Sequence, residues 1–199
     1  MPSFELEEEL YSKGYTAVCG CDEAGRGPLL GPVVAAAVIL PRGFIIEGLD
    51  DSKKLTERKR EKLYDIIIEN AVAYGIAEAT PEEIDEYNIL NASMLAMRRA
   101  VEALGVKADF ALIDGNCSRG FEIPTATVVK GDSRSYSIAA ASILAKVTRD
   151  RGCIELDKLY PEYGIAKHKG YPTKDHMDIV RQIGPSPIHR RSFLGFLDK

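Results

Sequence analysis

Four carboxylates in this sequence follow apolar runs. Asp22 and Glu23 come after Val18-Cys19-Gly20-Cys21, Asp114 after Phe110-Ala111-Leu112-Ile113, and Asp132 after the run Thr125–Val129 and a Lys130-Gly131 step. In open α/β sheets, groups at the carboxyl ends of neighbouring strands converge on one crevice. Four acids in one crevice repel one another unless cations neutralise them. Oxygen donors with no His or Cys set among them suit Mg²⁺ or Mn²⁺ rather than zinc. Taken singly, each acid has a plainer reading. Asp114-Gly115-Asn116 is a turn signal, and Asp132 can cap the helix that follows it. Four acids in the same relation to a strand point instead to a metal site. Ala24-Gly25-Arg26-Gly27-Pro28 follows the first pair directly. Gly25 and Gly27 lack a Cβ, so the backbone there can approach a ligand closely. Arg26 adds a fixed positive charge. Carboxylates for a cation, exposed N–H groups and an arginine together suit the handling of a phosphodiester.

The elements that must position these groups read as follows. A short leading helix spans 4–13. Strands are expected over 15–23, 33–40, 72–79, 110–113 and 125–129, the second antiparallel to the first. Residues 44–49 form a further short strand or a loop. Asp50-Asp51-Ser52-Lys53-Lys54 is a polar loop before a helix over 57–70 with Leu63, Ile66 and Ile67 on its apolar face. Thr80-Pro81-Glu82-Glu83 is a helix start, with a Thr cap, Pro at the first position and Glu at the third; the helix itself is expected over 89–104. A long helix over 137–159 opens on Ala139-Ala140-Ala141, whose small side chains let it lie close to a sheet. Residues 160–171 read as a basic loop. Thr173 caps a helix to Ile183, and 192–197 is a last helical piece. The order gives an α/β layered domain over 1–160 and a helical C-terminal extension over 161–199 packed on it.

The chain has 199 residues and a net charge of −4. No apolar stretch is long enough to span a bilayer, and the acidic start does not resemble a signal or transit peptide, so a cytoplasmic protein is expected. Cys19 and Cys21 lie on one face of a strand, at a spacing unsuited to zinc; with Cys117 and Cys153 they read as thiols in a reducing compartment. Residues 130–199 carry 13 Lys and Arg against 8 Asp and Glu, whereas residues 1–129 carry 13 against 22. An acidic body with a basic C-terminal third fits a polyanion held on one face, although charge alone does not choose between that and ordinary surface composition.

At this point the motifs resemble a known family. Asp22-Glu23-Ala24-Gly25-Arg26-Gly27, Asp51-Ser52-Lys53-Lys54-Leu55, Asp114-Gly115-Asn116, Lys130-Gly131-Asp132, the run Ser137–Asp150 and His168-Lys169-Gly170-Tyr171-Pro172-Thr173 are similar to those of type 2 ribonuclease H, the bacterial ribonuclease HII group. The resemblance runs from about Tyr15 to Phe193. It implies a ribonuclease H-like fold, a mixed sheet flanked by helices with a C-terminal helical extension. It implies cleavage of RNA in RNA–DNA hybrids and incision 5′ to a ribonucleotide embedded in duplex DNA. Asp22, Glu23, Asp114 and Asp132 take the positions of the family's catalytic, metal-binding acids, for Mn²⁺ or Mg²⁺. Gly25, Arg26 and Gly27 match its loop that senses the 2′-hydroxyl, and Tyr171 matches its tyrosine that packs on the sugar at the RNA–DNA junction. Two ions roughly 3.5–4 Å apart would clamp the scissile phosphate, with Asp22 bridging them, to leave a 3′-hydroxyl and a 5′-phosphate.

Supporting residues follow from type and place. Lys53 or Lys54 reads as a phosphate contact. Lys146 and Arg149 on the long helix, and Lys167 to Lys169, read as grips on the strand backbone. His168 reads as a surface residue rather than a base, and His176 and His189 as structural. The Phe193–Leu197 tail reads as packed on the body, and the chain as a monomer. Two other readings stand beside the nuclease. The Gly-Arg-Gly loop and Tyr171 speak against a resolvase-like enzyme, and the full set of four acids speaks against a module that grips hybrids without cutting.

Overall fold

The protein is described by a computed structural model covering residues 2–198. Its centre is a five-stranded sheet in the order β3-β2-β1-β4-β5, formed by β1 (Val18–Ala24), β2 (Val33–Ile39), β3 (Ala73–Ala79), β4 (Phe110–Asp114) and β5 (Thr125–Val128). The first three strands are antiparallel, as expected for β1 and β2, while β4 and β5 run parallel to β1. β2, Val33-Val34-Ala35-Ala36-Ala37-Val38-Ile39, is buried along its whole length. A strand apolar on both faces must be covered on both, and two long helices do this.

α3 (Pro81–Glu102) packs on the face that carries Cys19, Cys21, Val33, Ala35 and Ala37. α4 (Tyr136–Leu159) packs on the opposite face, with Ala139, Ala140, Ala141, Ile143 and Leu144 against Ala36 and Val38. The small residues of α4 allow the close approach that the sequence suggested. At the tightest point a Cβ on Gly20 would stand 2.2 Å from the carbonyl carbon of Ser137, so only glycine fits there. α2 (Glu57–Asn70) backs α4 with Leu63 and Ile67. The leading helix α1 (Glu5–Ser12) clamps the start of α4. Its buried Glu7 accepts from Ser135 Oγ at 2.6 Å and from the Ser137 N–H at 2.9 Å, and Phe4 stacks on Tyr136.

Several expected boundaries move. α3 begins at Pro81, not at residue 89. Thr80 and Glu83 form a reciprocal capping box that starts the helix. A kink at Asn88 (φ 66°) interrupts it, and Asn88 Oδ1 recaps the second half by accepting from the Asn91 N–H. Residues 44–49 form no strand; Ile46 and Leu49 plug the core from a loop. The stretch 160–171 is not a plain loop. It holds a 3-10 turn at Pro161–Tyr163 and the short helix α5 (Ile165–His168). α6 (Lys174–Ile183) is capped by Thr173 as expected, and the final helical piece is a 3-10 turn at Arg191–Phe193. Leu30, Cys153, Tyr163, Ile165, Val180 and Leu194 form a separate small core, so the tail packs on the body.

Candidate active site

β1 and β4 pair with Cys21 beside Ile113, so Asp22 and Asp114, the next residue of each strand, stand on neighbouring strands at the same level of the sheet. β5 brings in the third group. Asp114 pairs with Val128, and Asp114 Oδ1 accepts from the Gly131 N–H at 2.6 Å. That bond fixes the Gly131–Ser133 turn, and with it Asp132, next to the end of β4.

Two adjoining hollows share Asp114 and Lys53. One, of about 210 Å³, is lined by Asp22, Glu23, the Gly25–Gly27 loop, Ser52, Ser142, Lys146 and Tyr171 as well. The other, of about 500 Å³, is lined by Asp51, Lys54, Lys130, Asp132 and Ser133. The four sequence-predicted acids therefore border one trough, with Asp22, Glu23 and Asp114 at one end and Asp132 at the other. Among the described residues, no three His, Cys, Asp or Glu side chains are drawn together closely enough to hold an ion as they stand.

The electrostatics of the trough are strained. Burial, and then the charges of Glu23 and Asp114, push the Asp22 carboxyl well above the usual range. Burial likewise raises Glu23, with Arg26 opposing and Asp114 adding to the shift. Asp132 is raised to about 6 by burial and by Asp51 and Asp114. Lys53 reads the whole cluster. Burial works against its charge, yet Asp22, Asp132, Asp51 and Asp114 together raise its pKa. Glu23 Oε2 is buried with no hydrogen-bond donor. Carboxylates raised by burial and then by one another, one with an orphaned oxygen, are the donor set a hard divalent cation relieves. The residues present fit such an ion.

The rest of the site is a glycine turn beside an aromatic ring. Gly27 faces Tyr171, and a Cβ there would touch the ring at 3.6 Å. Gly25 has a φ of +98°, and a Cβ on it would stand 2.3 Å from Arg149 Nε. Arg149 is thus not free to grip a nucleic-acid backbone, contrary to expectation. It is buried beneath Gly25, donates to the Lys169 carbonyl at 2.7 Å, and holds its guanidinium 5.7 Å from the Tyr171 ring centroid. Of the other basic residues, Lys146 borders the trough and pairs with Asp150 at 2.6 Å, and Lys167 pairs with Asp175. Lys53 stays exposed. His168 is half-buried rather than on the surface, stacked 4.1 Å from His176. His176 and His189 are buried, as expected of structural residues.

Three positions escaped the sequence reading. Asp51 is part of a polar loop and has no role of its own in that reading; it stands beside Asp132. Ser142 donates to Ser52 Oγ at 2.8 Å and pins the Ser52–Lys54 turn to α4. Arg190, in a run of basic residues, is fully buried. Its guanidinium donates to the carbonyls of Gly25 (2.7 Å), Arg26 (3.1 Å), Pro28 (2.8 Å) and Gly31 (2.9 Å). Burial pulls its pKa down to about 9, so it remains cationic at neutral pH. No periodic pattern marks a buried arginine, and only its place in the fold reveals it.

Comparison with known proteins agrees with this geometry. The ribonuclease HII family profile matches residues 19–195. Ribonuclease HII of Desulfitobacterium hafniense is 58% identical over 187 residues, covering 94% of this chain and 72% of that protein. Ribonuclease HII of Caldicellulosiruptor saccharolyticus is 53% identical over 191 residues, covering 96% and 93%. The crystal structure of ribonuclease H2 from Pyrococcus horikoshii superposes with a TM-score of 0.71 at 28% identity, covering 92% of this chain and all of that one. With a matching profile over most of its length and relatives above half identity, this chain belongs to the ribonuclease HII family of metal-dependent endoribonucleases, which act on RNA–DNA hybrids.

Proposed function

We propose that this enzyme cleaves the RNA strand of RNA–DNA hybrids and also incises duplex DNA on the 5′ side of an embedded ribonucleotide, leaving a 3′-hydroxyl and a 5′-phosphate. The observation that carries this reading is that Gly25–Gly27 and the Tyr171 ring, which faces Gly27, line the same hollow as Asp22, Glu23 and Asp114. A sugar laid on the aromatic ring beside this bare backbone would have its phosphate toward the carboxylates. The 2′-hydroxyl both donates and accepts hydrogen bonds and is what distinguishes RNA from DNA at one position. Backbone groups of Gly25–Gly27 read it without reading base sequence. The ring of Tyr171 packs on the sugar.

Asp22, Glu23, Asp114 and Asp132 would hold Mn²⁺ or Mg²⁺. Bound divalent ions supply the charge that activates water and stabilises the departing 3′ oxygen. Arg26 and Lys53 bring positive charge to the phosphate from either side of the acids. Lys146, poised on the wall of the hollow, orders the adjacent phosphate. Such a cut serves removal of ribonucleotides from DNA, in the cytoplasm. Incubation with Mn²⁺ of a labelled duplex carrying one ribonucleotide, beside its all-DNA twin, tests this. Cleavage of the first alone, immediately 5′ to the ribonucleotide, is expected; equal cutting of both would overturn the reading.

A further inference from the structure

Three imidazoles lie behind Tyr171, and their hydrogen bonds have a direction. The Ser186 N–H donates to His189 Nδ1 at 3.0 Å, and Ser186 Oγ stands 2.8 Å from the same nitrogen. With Nδ1 accepting, neutral His189 carries its proton on Nε2. That nitrogen faces His176 Nε2 at 3.3 Å. His176 must therefore accept there and carry its own proton on Nδ1, which stands 2.9 Å from the Tyr171 carbonyl oxygen. His168 stacks on His176. It accepts from the Gly170 N–H through Nδ1 and donates to the Tyr163 carbonyl. The ring planes of His168 and His176 differ by 14°.

We propose that His176, held in its Nδ1–H form by His189, is a positioning residue for Tyr171. It anchors the Tyr171 backbone so that the ring stands against Gly27. This rests on Tyr171 packing on the sugar, as proposed above. Before Tyr171 the chain is tied to the body, the Gly170 carbonyl accepting from the Leu29 N–H at 2.8 Å, whereas Tyr171 itself is exposed and is followed by Pro172 and Thr173, both also exposed, so His176 holds the side on which the chain leaves. Its own backbone ties beyond His176 are local: its N–H donates to His168 O, and its carbonyl also accepts from the Thr173 N–H. His189 is in turn fixed to the body by the Leu30–His189 bridge. The relay thus runs from the segment paired with the Gly25–Gly31 loop to the residue that faces Gly27. The glycine turn and Tyr171 are tied to one stretch of chain.

The test is a double-mutant cycle read as kcat/KM on a duplex with one ribonucleotide. His176→Phe keeps a flat ring and removes the donor; His176→Asn returns a donor at the Nδ1 position. We expect His176→Phe to lose roughly tenfold, His176→Asn to recover most of it, and His176→Phe to change nothing further in a Tyr171→Ala background. Long-range ¹H–¹⁵N spectra of the wild type should show His176 protonated at Nδ1 and His189 at Nε2. Equal losses from His176→Phe with and without Tyr171, no rescue by a folded His176→Asn, or the opposite tautomers would each overturn the proposal. If His176→Phe does not fold, His189→Leu takes its place in the same cycle, with the same outcomes. A Tyr171→Ala enzyme that cuts at the wild-type rate would instead remove the role given to Tyr171, and the proposal with it.

Discussion

Arg190 Nη2 donates to the Gly25 carbonyl at 2.7 Å, joining residues 165 positions apart in sequence. The same guanidinium meets three more carbonyls between Arg26 and Gly31. With its carbonyls turned inward onto a buried cation, the loop is left free to present N–H groups to the trough. Hydrogen bonds to charged groups contribute about 1.5–3 kcal/mol each, and stranding buried acceptors costs more than the mean. Arg190→Met is expected to lower unfolding free energy by about 3 kcal/mol or more, read from urea midpoints at unchanged slope. Arg190→Lys, a point charge without the planar fork, should recover only part of it.

Gly25 sits where a side chain has neither a conformation nor a space. Its φ is +98°, and its missing Cβ is replaced by Arg149. Gly25→Ala should destabilise by about 1–3 kcal/mol. It should also lower incision of a single-ribonucleotide duplex more than it lowers melting temperature would explain. Activity at the wild-type level in the folded variant would show that the loop tolerates the shift.

Asp22 carries a cost of its own. Its folded-state pKa is raised above 3.8, so the folded protein holds that proton more tightly than the unfolded chain. The associated stability is present at low pH and is lost as pH rises through the folded value. Asp22→Asn should therefore abolish cleavage and raise the melting temperature at neutral pH by about 2–4 °C, with a smaller gain at acid pH. Millimolar Mn²⁺ should raise the wild-type melting temperature and raise that of the variant less. A variant that melts lower than wild type at pH 8 would contradict the repulsion described here.

His189 works in the opposite sense. Burial, then the neighbouring His176, lowers its pKa from 6.5 to about 4. Between those values the unfolded chain binds the extra proton and the folded protein does not, so stability rises with pH across that window and is lost as pH falls. Comparing His189→Gln with wild type isolates this contribution from the raised carboxylates. The wild type should lose more stability than the variant between pH 6.5 and 4, as measured by denaturant titration at each pH.

Much of the site could be read before any coordinates. The first strand, its two acids and the glycine turn are contiguous, so their proximity is covalent. Asp114 and Asp132 stood at strand ends, and the parallel pairing of β1, β4 and β5 does the rest. Helix ends were legible where a cap is local, as at Thr173, and were misplaced at 81–88, where a strained Asn88 joins two helices that look like one or none.

What the residues alone determined is the inventory: which acids stand at the ends of apolar runs and where glycine replaces a side chain. These depend on neighbours in sequence. The tertiary structure decided which charges are buried and what they touch. Arg149 and Arg190 look like surface cations in a basic third of the chain, yet both lie under the Gly25 loop, and three histidines far apart in sequence, His168, His176 and His189, form one cluster. Burial of a polar side chain is set by partners far along the chain, because the cost of removing it from water is offset only by groups the fold brings to it.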